Sequence, residues 1–392
     1  MRSSQYRQAK GRWLGAAGRL IRNCWEPATG WFEIEGCIAA RKMPPCNYET
    51  ENHEPLAIKG SNTITGGDVL IVIPTLNEGA QIESVIATLQ TDRRCSEALI
   101  VVSDGGSSDQ TVALVERIGL SDPRVRVLTT VERLSTGVSI NRAVQCFGQD
   151  RTWLVRVDAH AGYSSDYASR LVAKAIETGA YSVVTPMFTR GHTCFQRAAA
   201  AAQNSFLGTG GSAHRLLNRG GWVEHGHHAL IDLSWFRKLG GYQSDIGEDP
   251  EFDRRLIQCG GRIWLADDIV ITYFPRANTI SLFRQYARHG RGRARGFIKH
   301  GGRKHIRHFI LPSIAPILML GFFAPLYWPL AFPVLAWLLT CLSYGFVLGI
   351  REKDICALAS GYAAIIMQIA WSLGHWRELT SVKARRFFHP RR

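Results

Sequence analysis

The sequence predicts an α/β protein, a mainly parallel, Rossmann-like sheet covered by helices and followed by an apolar C-terminal region. Three observations predict it. Short β-branched runs alternate with amphipathic segments between residues 68 and 185, the pattern of parallel strands joined by helical crossovers. Polar, Gly-containing turns follow the strands, at the sheet edge where open α/β folds bind ligands. From Phe309 onward long stretches are almost wholly apolar.

The elements follow in order. Val69 to Ile73 is a short apolar run that reads as a strand buried on both faces. Pro74 stops it, Asn77-Glu78-Gly79 form a turn, and an amphipathic helix covers residues 80–90. A second strand over residues 98–103 ends at Asp104-Gly105-Gly106-Ser107-Ser108-Asp109. Asp104 sits at its carboxyl end, and Ser108 or Asp109 can cap the helix that runs to Gly119. Residues 124–130 form a strand, 136–147 a helix containing Asn141, and 153–157 a strand that ends at Asp158. A helix over 165–178 and a strand over 180–185 complete the alternation.

Four further motifs carry polar chemistry. Asp158 and His160 stand two residues apart beyond a strand, so both face one side of an extended turn. Residues 206–215 form a Gly-rich loop; it has Ala213 where a dinucleotide fingerprint needs its third Gly, but it permits close approach of backbone to an acceptor or a phosphate. Glu224-His225-Gly226-His227-His228 fits neither a helical zinc motif nor a zinc knuckle and reads as a segment near an acceptor pocket. Glu248 and Asp249 are paired carboxylates at a helix start, with Pro250 in the first turn. Asp253, one turn on, reads as a solvent-facing or structural acid.

In this order and spacing the motifs resemble the family-2 inverting glycosyltransferases. The resemblance implies a GT-A-type nucleotide-diphospho-sugar transferase domain. It implies that Pro74, Asn77 and Glu78 flank the base and ribose, that Asp104 hydrogen-bonds the uracil or its equivalent, and that Asp158 belongs to a metal motif bridging the sugar diphosphate. His160 replaces that motif's second Asp. Mg²⁺ prefers oxygen ligands and Mn²⁺ tolerates imidazole, so a divalent cation is expected, with Mn²⁺ gaining over Mg²⁺. By the same resemblance Asp249 is the general base and Glu248 orients the pocket. Gln285, Arg288 and His289 compare with the Gln-x-x-Arg-Trp motif of processive synthases; His289 in place of Trp argues against polymer extrusion. Arg288 and Arg291 can clamp a diphosphate through their forked guanidinium groups or meet lipid head groups. The Asp-x-His form with Tyr163 is similar to the succinoglycan-type polysaccharide glucosyltransferases of the family. That implies transfer of glucose from UDP-glucose to a lipid-linked saccharide, a sugar on polyprenyl diphosphate, at the cytosolic leaflet. A processive synthase, a polyprenyl-phosphate sugar transferase and a catalytically silent membrane scaffold are the alternatives.

Bulk properties bound the rest. The 392 residues carry a net charge of +15, concentrated at the N-terminus, in the acid-free stretch from Arg284 to Arg307, and at the C-terminal tail. Two of these clusters flank the apolar region, which favours anionic lipid over nucleic acid as partner. The nine cysteines lack a C-x-x-C pair, so reduced thiols in a cytosolic domain are expected. Residues 1–67 read as a basic extension with a short amphipathic helix near Arg12–Arg22, 68–300 as the catalytic domain, and 301–392 as membrane-associated. Three apolar segments are visible there, two within 309–350 and one over 355–371. Flanking basic runs ask for an even number of crossings, which makes the Pro-rich first segment re-entrant or interfacial, or else leaves the tail outside. The catalytic domain is expected at the inner or plasma membrane, facing the cytoplasm.

Overall fold

The computed structural model describes residues 66–209, 220–300 and 307–388. The expected N-terminal helix, the Gly-rich loop beyond Thr209, Arg303, Lys304 and the last four residues lie outside them.

The domain is built on β1 (Val69–Thr75), β2 (Leu99–Asp104), β3 (Val125–Leu128) and β4 (Trp153–Arg156). Crossovers are made by α1 (Ile82–Gln90), α2 (Thr111–Ser121) and α3 (Thr136–Phe147). Downstream come β5 (Ala161–Gly162), α4 (Tyr167–Thr178), β6 (Ser182–Thr185), β7 (Met187–Thr189), α5 (Cys194–Gln203) and the one-turn α6 (Phe206–Thr209). Then follow β8 (Gly221–Val223), β9 (His227–Asp232), α7 (Leu233–Lys238), α8 (Glu248–Gln258), β10 (Ile263–Leu265) and β11 (Ile271–Tyr273). The main sheet has eight strands in the order β3-β2-β1-β4-β9-β6-β10-β8, and a three-stranded sheet runs β5-β11-β7. The expected parallel alternation is present, and the later part of the main sheet is mixed: β9 is antiparallel to both β4 and β6.

β1 is covered on both faces, as its unbroken apolar run requires. Val69, Ile71 and Ile73 pack with Ile82, Val85 and Ile86 of α1, while Leu70 and Val72 pack with Ile140 of α3 and Phe252 of α8. Each such burial contributes about 1.5–3 kcal/mol. The strand runs past Pro74, contrary to the sequence expectation. β4 pairs with β1 only from Val69 to Val72, so the missing N–H of Pro74 points where no ladder partner remains.

The C-terminal helices are α9 (Thr279–His300), α10 (Arg307–Gly321), α11 (Ala331–Glu352) and α12 (Ser360–Phe388). Two helical stretches, Trp328–Glu352 and Cys356–Ser381, are long and apolar enough to cross a membrane by length and composition. The first of the three apolar segments forms α10 instead. Its 15 residues reach about 22 Å at 1.5 Å per residue, short of a hydrocarbon core of about 30 Å. Pro316 cannot donate to the Pro312 carbonyl; Ser372 Oγ and Trp376 Nε1 of α12 donate to it instead, at 3.0 and 2.7 Å.

Among the described residues the expectation of reduced thiols is corrected at Cys194, Cys356 and Cys259, which are disulfide-bonded. Cys194 at the start of α5 and Cys356 before α12 form a disulfide, with Cα atoms 5.1 Å apart and a sequence separation of 162. The pairing follows from tertiary packing, which spacing does not reveal. Cys95 and Cys341 are free thiols.

Helices α9 and α12 meet backbone to backbone at Gly290 and Gly374: a Cβ on Gly374 would overlap the Ala287 carbonyl, and one on Gly290 the Trp371 carbonyl. Gly374→Val therefore forces the helices apart. The expected cost is roughly 1–3 kcal/mol, read as a lower thermal midpoint of the detergent-solubilised chain.

Candidate active site

The carboxyl ends of β1, β2 and β4 lie at one edge of the sheet. Because β9 enters antiparallel beside β4, with Leu230 opposite Val155, its first residues reach the same edge. The site is assembled there from these turns and the start of α8.

The first turn is held by reciprocal bonds. Asn77, at φ 58°, donates its N–H to Ser107 Oγ at 2.8 Å, and its Oδ1 accepts from the Ser108 N–H at 2.8 Å. Glu78 and Gly79 donate their N–H groups to Thr111 Oγ1 and Asp109 Oδ2. Asp104 is 1% exposed; one carboxylate oxygen accepts from the Gly106 and Ser107 N–H groups, both at 2.9 Å. In this structure Asp104 thus shapes the turn expected to meet the base. Pro74 lies half-buried in β1, directly before it.

Beyond β4, the Asp158 N–H donates to Tyr163 OH at 2.7 Å, which pins the acid's backbone. Glu78 Oε1 lies 3.1 Å from His160 Nδ1. A carboxylate there holds Nδ1 as the protonated nitrogen and leaves the Nε2 lone pair for a ligand, the second-shell arrangement common at metal-binding histidines. Asp158 and His160 therefore fit a divalent cation, and the imidazole suits Mn²⁺ better than Mg²⁺. Among the described residues no three His, Cys, Asp or Glu side chains are grouped to hold a metal, so the other ligands would come from the diphosphate and water. Burial works against a charged His160, but the Glu78 hydrogen bond and Asp158 raise its pKa above the usual histidine value.

Arg156 is the centre of the acidic cluster. Its Nη1 lies 2.5 Å from Asp249 Oδ1, its Nη2 3.5 Å from Glu248 Oε1 and its Nε 3.4 Å from Asp158 Oδ1. Burial disfavours the guanidinium charge, but Asp249 and Asp158 more than offset that, so it stays protonated. Burial alone would raise Asp158; Arg156, His227 and His160 bring it down to about 2. Glu248 moves the other way, raised by burial and by the Asp249 charge against the pull of Arg156. In the sequence Arg156 is simply a residue of the strand that leads to Asp158; only its burial among three acids gives it a role.

The histidines of 225–228 join this cluster rather than stand at its edge. His227 Nε2 is 3.5 Å from Asp158 Oδ2 and its Nδ1 3.8 Å from Asp249 Oδ2. Burial lowers its pKa. His228 is fully buried. Its Nδ1 faces Tyr242 OH at 2.7 Å and Asp249 Oδ1 at 3.4 Å, and its Nε2 faces Asp253 Oδ1 at 2.6 Å. Asp253 also meets His225 Nδ1 at 2.7 Å. Of the two roles the sequence left open for Asp253, the structural one holds: it is 1% exposed. Asn141 fixes Tyr242 by accepting its N–H at 2.9 Å and donating to its carbonyl at 2.7 Å.

The motif on α9 divides. Gln285 Nε2 donates to Tyr273 OH at 2.7 Å, Arg288 acts electrostatically on Glu248, and the His289 ring lies edge-on to Tyr286. Arg291 and Arg295 both bind Glu378 of α12, at 2.9 and 2.6 Å. Arg288 is thus the arginine of this motif whose charge reaches the acid pair, while Arg291 docks α12.

The chain is similar to known proteins along much of its length. A family model described as glycosyl transferase family 2 matches residues 70–240. The chain is 41% identical over 327 residues to the succinoglycan biosynthesis protein ExoA of Rhizobium meliloti (strain 1021), covering 83% of this chain and 99% of that one. It is 29% identical over 127 residues to polyprenol monophosphomannose synthase of Mycolicibacterium smegmatis, covering 32% of this chain and 46% of that protein. The fold is similar to that of the mannosyltransferase PcManGT from Pyrobaculum calidifontis, solved with GDP-Man and Mn²⁺, with a TM-score of 0.50, 19% identity, and coverage of 80% of this chain and 87% of that one.

The buried His228–Asp253 pair sets a pH dependence. Burial opposes the His228 charge, yet Asp253 and Asp249 raise its pKa; burial would raise Asp253, yet His228 and His225 lower it. The histidine contribution is full below the ordinary histidine range and is lost as pH rises through the raised folded value; the aspartate contribution is full above the ordinary carboxylate range and is lost as pH falls through the lowered one. Asp253→Asn removes one partner of the buried pair, at a cost of roughly 3–5 kcal/mol. Thermal midpoints of the two chains across pH should differ most near pH 6 and converge as pH rises.

Proposed function

The chain belongs to the family-2 glycosyltransferases, and on that premise we propose that it moves glucose from UDP-glucose to a saccharide carried on polyprenyl diphosphate during exopolysaccharide assembly. The observation that carries this reading is the gathering of Asp158, Glu248 and Asp249 around Arg156 at the sheet edge where α/β folds bind ligands. The likeness to a succinoglycan biosynthesis protein over nearly its whole length supports the pathway class.

In this reading the turns of Pro74–Glu78 and Asp104–Asp109 receive the nucleoside. Asp158 and His160 hold the divalent cation, which when bound neutralises charge on the diphosphate. Asp249 is the base. Its Oδ1 is occupied by Arg156, so Oδ2 takes the proton of the acceptor hydroxyl. As that proton leaves, the acceptor oxygen bonds the anomeric carbon, the bond to the diphosphate breaks on the opposite face, and the nucleotide departs with its electron pair. A single displacement inverts the configuration. His227, held neutral by burial, faces Oδ2 without competing as a cation. Glu248, with its raised pKa, shapes the pocket beside Arg288. The apolar C-terminal helices attach the enzyme to the membrane that holds its lipid-linked acceptor.

The test is transfer by membranes carrying the chain, with radiolabelled nucleotide sugars and extracted lipid-linked acceptors. One labelled glucose added to a diphosphate-linked lipid, lost on chelation and restored by Mn²⁺, is the expected result. Asp249→Asn should reduce transfer by about 10²–10⁴-fold, the range of general-base contributions, with donor affinity unchanged. Asp104→Ala should instead weaken donor binding, because it releases the turn. Normal transfer by Asp249→Asn would remove the base assignment, and mild acid releasing the label as free glucose, rather than within a longer saccharide, would point to a lipid monophosphate acceptor.

A further inference from the structure

Length and composition allow α11 and α12 to cross a bilayer, but the packing of α12 constrains them further. Both ends of this helical stretch are tied to the catalytic domain. Just before it, Asp354 pairs with Arg197 of α5 at 2.7 Å, and Cys356 is bonded to Cys194. Near its end, Glu378 binds Arg291 and Arg295 of α9. Between these points Ala363, Ala364 and Met367 pack on Ala199, Ala202 and Leu282, and Gly374 and Gly290 bring the two helices into backbone contact. Residues 356–378 rise about 33 Å at 1.5 Å per residue, more than a hydrocarbon core of about 30 Å. If α12 crossed, catalytic-domain residues would have to stand on both sides of the membrane.

Helix α9 sharpens the conflict. It runs beside α12 in the same direction: Leu282 lies with Ala363, Ala287 with Gly374, and Arg295 with Glu378. Along that length it carries Arg284, Arg288, Arg291, Arg293 and Arg295. A row of guanidinium groups is not accommodated in hydrocarbon.

We propose that α12 does not cross the bilayer. It lies at the membrane surface beneath the catalytic domain, and α10 and α11 cover its other side and enter a single leaflet. The chain is then a monotopic membrane protein, whose apolar C-terminal helices meet the membrane from one face only. The lipid-facing surface is α11: 11% of its apolar window is buried, against 56% for the window in α12. Phe332, Leu335, Leu339, Leu342 and Phe346 are exposed along it. Tyr327 and Trp328, also exposed at its start, are the residue types that settle at the head-group level. The end of α11 and the connector to α12 carry Arg351, Glu352, Lys353 and Asp354, charges suited to that level and tied by Asp354 to the catalytic domain. The pair of helices contacts itself through Gly345, Gly349 and Gly361, which lets α11 pack flat along α12.

This inference rests on the membrane attachment in the proposed function and adds its mode. The test places a single reporter thiol at the end of α11 beside the connector, Arg351→Cys, and another on the exposed face of α2, Glu116→Cys, in the full-length chain. Each is scored with a membrane-impermeant maleimide above the wild-type blank, in sealed vesicles of both orientations. Both positions should be labelled from the same face, with the signal lost from the other, in chain that stays with the membrane through a carbonate wash. Labelling of Arg351→Cys from the face opposite Glu116→Cys, in membrane-retained chain, would overturn the inference and leave the attachment standing. Recovery of the chain in the soluble fraction would overturn the attachment itself, and the inference with it.

Discussion

A single buried guanidinium holds three acids in one place. Glu248 and Asp249 open α8, and Asp158 follows β4; without Arg156 between them, these carboxylates would repel one another in a site largely shut off from water. Removing one partner of such a buried ionic cluster leaves uncompensated charge, which costs more than the intact cluster contributes. Arg156 lies on β4, fixed between β1 and β9, so the sheet core sets the position of the site. The antiparallel entry of β9 then adds His227 and His228, and the His228–Asp253 contact ties the acid pair to the middle of α8.

Much of this was legible in the sequence. The unbroken apolar run of β1 foretold a strand covered on both faces, and polar turns after β1, β2 and β4 foretold the ligand edge. Asn77, Asp104, Asp158, His160, Glu248 and Asp249 were singled out by their turns and by the family resemblance, and the structure brings them to that edge. What was not legible depended on strand direction or on partners far away in sequence. Nothing in Glu224–His228 announces that it leads into an antiparallel strand beside β4, so its histidines could not be joined to Asp158 and Asp249. Asp253 reads as a solvent-facing or structural acid until His225 and His228 are seen around it. Pro74 reads as a strand end unless β4 is known to stop one turn of the ladder earlier.

The membrane region shows the same limit. Hydropathy counts apolar residues and cannot see that α12 is flanked by the catalytic domain. Helix α9 links the two parts: Gly292 lies against Ile246 and Gly247 at the start of α8, and the next turns bind Glu378 of α12. A shift of the C-terminal helices would therefore act directly on the helix start that carries Glu248 and Asp249. In the proposed reading, this connection places the acceptor-facing acids a fixed distance from the lipid surface.

The pH dependence of transfer by Arg156→Gln, measured on folded chain, tests the central claim most directly. With the guanidinium gone, Asp158 and Glu248 retain protons to higher pH. The account predicts that the acid limb of kcat/KM moves upward, with part of the lost activity returning in alkali. An acid limb that stays where it is in the wild-type chain would contradict it, because the acids would then be held without Arg156.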